Sequence, residues 1–253
     1  MDHSHGSRPS FLVPRLDAGR WGFALYPEAA EGGGSFRSAA DSGARSAWDS
    51  VGSDSAADAA RRARGKVRRY CAANQLNRLG TLTYRGEGCH EPATLRRDVG
   101  RFFRGLRSEV GEPFAYVWAP EWHPGGHGLH VHFAVGRYIH QGLIRDTWGR
   151  GHVFIKLLGD LPVGSGVRGE ARLAARYLAK YVGKDLGRVE SGGLHRYEVA
   201  QGFQPRRVIL DGVTADEVLG WADAVMGAAP EYVWRSRDEE DWTGPPAVWA
   251  QWP

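Results

Sequence analysis

The chain has 253 residues, 42% of them hydrophobic and 25% charged, with a formal net charge of +4 and a pI of about 9.2. That composition suits a globular protein with one sizeable core, and no apolar run approaches the ~20 residues of a bilayer span. The two cysteines, Cys71 and Cys89, form no CxxC pair, which excludes a cysteine-based zinc site and argues against a disulfide framework. No charged-then-apolar leader is present, so the chain is expected to be soluble and cytoplasmic, with no membrane partner.

Residues 1–52 are rich in Gly, Ser and Ala and are expected to form a low-complexity, flexible tail. His3 and His5 fall in it and read as tail residues. A basic helix follows over 55–73, where Arg61, Arg62, Arg64, Lys66, Arg68 and Arg69 crowd together. A second basic cluster comprises Arg96, Arg97, Arg101, Arg104 and Arg107. Clustered cations of this kind suit either phosphate binding or a solvated helix face.

Asn77 to Tyr84 alternates as a strand does, and Pro92 opens a helix over 93–109 with Leu95, Val99, Phe102, Phe103 and Leu106 on one side. Phe114 to Trp122 reads as a strand, His123-Pro-Gly-Gly-His127 as a turn and Leu129 to Val135 as the returning strand of a hairpin. A short helix from Ile139 to Trp148, a strand from His152 to Leu158 and a loop over Gly164–Gly169 come next. Glu170 to Leu186 reads as a helix ending at Gly187, followed by a β segment near 195–210 and a helix from Thr214 to Met226. The last stretch, 229–253, is a Trp- and Pro-rich tail. This order predicts one domain over 53–228: an α+β plan with a central antiparallel sheet of about five strands and helices packed on one face.

Within the hairpin, His130 and His132 are two apart and share one face of a strand. The short turn brings Glu121 back beside His130. Two imidazoles and one carboxylate can hold one side of a divalent metal and leave positions open for substrate. His123 and His127 lie near and read as substrate contacts or plain turn residues. Magnesium prefers oxygen ligands, manganese tolerates imidazole with carboxylate and zinc would fit as well; phosphodiester chemistry favours Mg²⁺ or Mn²⁺.

Tyr177 and Tyr181 lie one helical turn apart, and Lys180 and Lys184 repeat the same spacing. A tyrosine with a pKa near 10 is a weak nucleophile at neutral pH, and a nearby cation stabilises its phenolate.

The ordered set of residues resembles the HUH endonucleases, the rolling-circle replication initiators (Rep proteins) of plasmids and single-stranded DNA phages. Thr81-Leu82-Thr83 resembles the family's first motif. His130-Val131-His132, with Glu121 as third ligand, resembles the metal-binding second. Tyr177-x-x-Lys180-Tyr181-x-x-Lys184 resembles the third, in a two-tyrosine form similar to that of phage initiators. Gly202-Phe203-Gln204-Pro205 is similar to a segment of actinobacterial plasmid Rep proteins. The resemblance covers about residues 75–210.

It implies a ferredoxin/RRM-like HUH nuclease fold with a metal, Mg or Mn, on His130, His132 and Glu121. It also implies attack by Tyr181 or Tyr177 on single-stranded DNA at a replication origin, aided by Lys180 or Lys184. Tyr181 is favoured as first nucleophile because Lys184 follows it near the helix end. The bases are expected to stack on Trp118 or Trp122. No G-x-x-x-x-G-K-[ST] phosphate loop occurs, so a host helicase would unwind the DNA and a host polymerase would extend it. A transposase or conjugative relaxase shares the same chemistry, and a non-catalytic nucleic-acid-binding module is the alternative of another class.

Overall fold

The computed structural model of the protein describes residues 19–38, 56–156, 166–184 and 195–253, with the side chains at 56–58, 183 and 184 outside the described set. His3 and His5, Gly164, Leu186 and Gly187 lie outside the described residues. The described chain forms two compact units, one of residues 19–24, 32–38 and 209–252, the other of residues 25–31, 56–156, 166–184, 195–208 and 253.

The larger unit is built on a five-stranded sheet. Its strands are β3 (Arg78–Leu82), β4 (Tyr116–Trp122), β5 (Leu129–Val135), β6 (Val153–Lys156) and β7 (Glu198–Val199), in the order β6-β3-β5-β4-β7. Every neighbouring pair is antiparallel. Four helices accompany it: α1 (Ala56–Ala73), α2 (Pro92–Val110), α3 (Gln141–Trp148) and α4 (Gly166–Lys184).

The α+β class, the antiparallel sheet and its five strands agree with the sequence. The helices, however, cover both faces rather than one. Strand alternation sends Leu82, Trp118, Val131, Phe133 and Val153 to one side, where they pack with Leu95, Val99, Phe102, Phe103 and Leu106 of α2 and Ile144 and Trp148 of α3. It sends Leu79, Val117, Ala119 and Ala134 to the other, against Val67, Tyr70 and Cys71 of α1 and Ala174, Ala175, Leu178 and Val182 of α4. The second face is lined by small residues, so α4 can lie close to β4 and β5. α2 begins with Pro92 in its first turn and ends on Gly111 in the left-handed conformation, a favourable start and stop.

The smaller unit is a second five-stranded sheet, ordered β8-β1-β2-β10-β9. Its strands are β1 (Arg20–Tyr26), β2 (Glu31–Arg37), β8 (Val208–Gly212), β9 (Tyr232–Arg235) and β10 (Ala247–Gln251), with helix α5 (Ala215–Met226) between β8 and β9. Part of the expected N-terminal tail is therefore a hairpin, and the expected C-terminal tail contributes two strands. The glycines of β2 explain the misreading. A Cβ at Gly32 or Gly34 would collide with the Phe23 ring, so the run Gly32-Gly33-Gly34 makes room for an aromatic lying across the strand. Trp252 is fully buried and its indole N–H donates to Asp223 at 2.9 Å. Thr214 caps α5, accepting from the Glu217 N–H at 3.1 Å. The boundary expected at 228 thus falls near 208, where the second unit takes over.

Candidate functional site

Strand register places the predicted residues in rows across one face of the larger sheet. Thr81 of β3 is opposite both His132 of β5 and Phe154 of β6, and His132 is opposite Ala119 of β4. One row further along, Glu121 is opposite His130. Thr83 extends that row, since its N–H donates to the His152 carbonyl at 3.0 Å. The turn that returns β4 to β5 is tightly held. His123 N–H donates to the Gly128 carbonyl at 2.8 Å, and the Nδ1 of His123 accepts from the Gly125 N–H at 3.0 Å. Gly128 has φ +74, and a side chain there would strike the Cys89 backbone. Leu129 N–H donates to the Cys89 carbonyl at 2.6 Å, so the 88–89 segment clamps the start of β5.

His132 is the hub. Its Nε2 meets Glu121 Oε2 at 2.7 Å and its Nδ1 meets Thr81 Oγ1 at 3.1 Å. An ionised carboxylate only accepts, so a neutral His132 carries its proton on Nε2 and accepts the Thr81 hydroxyl proton at Nδ1. His132 is 6% exposed, and Glu121 is largely buried beside it. Glu121 therefore reaches diagonally to His132 rather than straight across to His130. The His130 ring lies 4.5 Å from that of His123. Burial holds the His130 pKa below its usual value, and the neighbouring His123 and His132 act in the same direction against Glu121. Neutral imidazole is the form that ligates metals.

Among the described residues, no three His, Cys, Asp or Glu side chains converge as a closed cage. The donor chemistry nonetheless suits a divalent cation. Replacing the proton between His132 Nε2 and Glu121 Oε2 leaves a nitrogen and an oxygen aimed at one point, with His130 next on the same face. Thr81 then accepts from Nδ1–H, the outer contact that orients a ligating histidine.

Helix α4 lays both tyrosines over this network. The Tyr181 ring stacks on His132, with centroids 3.6 Å apart and planes 10° from parallel. Tyr177 meets Tyr181 edge-on at 5.3 Å and His132 at 6.2 Å. Burial raises the Tyr181 pKa, and a hydrogen bond with Tyr177 adds to it, so the phenol is held protonated. Lys180 Nζ lies 5.9 Å from the Tyr177 ring centre. Lys184 is the last residue of α4, and its side chain lies outside the described residues. Lys156, which sequence spacing did not single out, brings its Nζ 4.4 Å over the Tyr177 ring from β6.

Residues 77–186 match the sequence model of the Replication-associated protein ORF2 family. No curated protein and no solved structure matches the chain. The matched segment runs from the start of β3 past the end of α4 and includes Thr81, Glu121, His130, His132, Tyr177 and Tyr181. The match supports a Rep-type part in the initiation of replication.

Two expectations about nucleic-acid contacts need revision. Trp118 is only 3% exposed and belongs to the core under α2, while Trp122, further along the strand, shares its side of β4, opposite to Glu121. Neither tryptophan faces the His132 row. Parts of the basic clusters are also structural. Arg68 forks onto Glu31 at 2.9 and 3.1 Å, and Arg96 pairs with Glu198 at 2.8 Å. Arg107 donates to the Phe114 carbonyl at 2.7 Å and lies over the Tyr116 ring. Arg64, Lys66, Arg101 and Arg104 are exposed.

Proposed function

We propose that this protein nicks and rejoins single-stranded DNA at a replication origin through a 5′-phosphotyrosyl intermediate, and so starts and ends rolling-circle replication. The observation that carries the reading is the face-to-face stack of Tyr181 on His132 while His132 is bonded to Glu121. A candidate nucleophile and candidate metal donors are thereby in direct contact, inside the segment that matches a replication-associated family.

His130, His132 and Glu121 would hold a divalent metal, Mg²⁺ or Mn²⁺, which when bound polarises the scissile phosphate as a Lewis acid. Thr81 fixes the His132 ring through Nδ1. The Tyr181 or Tyr177 hydroxyl oxygen attacks phosphorus, the P–O3′ bond breaks and the departing 3′ oxygen takes up a proton. The new phosphotyrosyl ester conserves the energy of the broken one, so attack by a 3′-hydroxyl on that ester reseals the strand. Lys156 and Lys180, both within 6 Å of the Tyr177 ring, stabilise the negative charge that develops on the phosphoryl oxygens. Exposed cations such as Arg64 and Lys66 of α1 supply salt-dependent affinity for the DNA backbone. A host helicase would open the duplex, and a host polymerase would extend the freed 3′-hydroxyl.

A single-stranded oligonucleotide carrying the origin, incubated with the protein and Mn²⁺, is expected to give a covalent adduct in a denaturing gel, lost on adding a chelator. Combined Tyr177→Phe and Tyr181→Phe substitution removes the adduct. Its survival in the double variant would reject the nucleophiles. Binding without any wild-type adduct would favour a non-catalytic binding module.

A further inference from the structure

Phe154 is an aromatic residue left open to solvent in the larger unit, 61% exposed at the centre of the edge strand β6. Its neighbours Val153 and Ile155 turn to the opposite side and pack with the α2–α3 core. Phe154 therefore points to the face that carries the candidate site. Its register partner is Thr81, whose partner on the next strand is His132. Phe154 thus stands two strand spacings, about 10 Å, from the His132 ring. The residues beside it on that face are His152, whose ring is 6.3 Å away, and Lys156, both exposed. α4 covers the central strands but leaves this edge open.

We infer that Phe154 is a stacking platform for a base of single-stranded DNA, and that Lys156 and His152 flank it as contacts for the adjoining backbone phosphates. The inference rests on the proposed nicking reading and adds to it the place where a base next to the scissile phosphate is held. A flat apolar ring bordered by a cation and an imidazole matches the alternation of base and phosphate along a single strand, and stacking needs no particular base. The row Phe154–Thr81–His132 then forms a straight track across the sheet from the held base to the reacting centre. Phe154 is a positioning residue: it sets where the strand lies and takes no part in the chemistry.

The test separates binding from reaction. Fluorescence anisotropy with a labelled thymidine homopolymer, in the absence of metal, measures affinity alone. Phe154→Ala is expected to weaken binding about tenfold and Phe154→Trp to restore it, as stacking free energies imply. Because the side chain is exposed, both variants are expected to melt at the wild-type temperature. At saturating origin oligonucleotide, Phe154→Ala should form adduct at the wild-type rate, with the loss confined to the concentration for half-saturation. Affinity of Phe154→Ala within twofold of wild type, or no rescue by Trp, would overturn the platform even if the wild type forms adduct normally. A wild type that forms no adduct but loses affinity on Phe154→Ala would overturn the nicking reading and keep the platform.

Discussion

The two units of this protein differ in charge as sharply as in architecture. Residues 52–208 carry 26 Lys and Arg against 14 Asp and Glu, whereas residues 209–252 carry two arginines against nine carboxylates. The larger unit places its polar side chains in a connected network on a sheet face, from Thr81 through His132 to Glu121. In the smaller unit Asp216 is salt-bridged to Arg235, Asp223 accepts from Trp252, and Glu239 accepts from Trp234. A net charge of +4 for the whole chain hides this division. The electrostatic footprint expected of a DNA-binding surface belongs to the unit with the tyrosines, while the acidic unit repels the same polyanion.

Three substitutions sharpen that contrast. The largest effect is expected from Thr81→Val, which keeps the shape of the side chain but removes the hydroxyl from His132 Nδ1. Adduct formation should slow by about 10- to 100-fold, as for other outer contacts of metal-binding histidines, with the melting temperature little changed. A wild-type rate would show that Thr81 does not orient His132. An intermediate effect is expected from combined Arg64→Glu and Lys66→Glu on α1. Affinity for single-stranded DNA should fall several-fold, and the slope of log affinity against log salt should decrease by about 0.7 for each lost phosphate contact. An unchanged slope would remove α1 from the DNA path. The smallest effect is expected in the acidic unit, where converting Asp238, Glu239, Glu240 and Asp241 to their amides should alter DNA affinity by less than about twofold. A larger change would show that the acidic unit influences the DNA surface after all.

What could be read from the sequence followed from local rules. A five-residue turn fixes the hairpin, so the pairing of Glu121 with His130 was legible in the spacing, as was the shared face of Tyr177 and Tyr181. The diagonal bond from Glu121 to His132 was not legible, because side-chain reach rather than register decides it. Phe154 and Lys156 were hidden for a different reason. Their place beside Thr81 and Tyr177 depends on β6 pairing with β3 across some 70 residues of chain, and no periodicity encodes such a contact. The smaller sheet was concealed by its own packing. A strand that gives its side-chain volume to Phe23 reads as a glycine linker until the ring above it is known.

The spacing of the two phenol rings has one more consequence. At 5.3 Å they are separated by about the pitch of a single helical turn, and both belong to the same rigid rod. On the proposed reading, a DNA end released by one hydroxyl has only to slide along that ruler to meet the other. The protein can thus hand a strand from grip to grip without letting go of it, and α4 itself sets the length of the step.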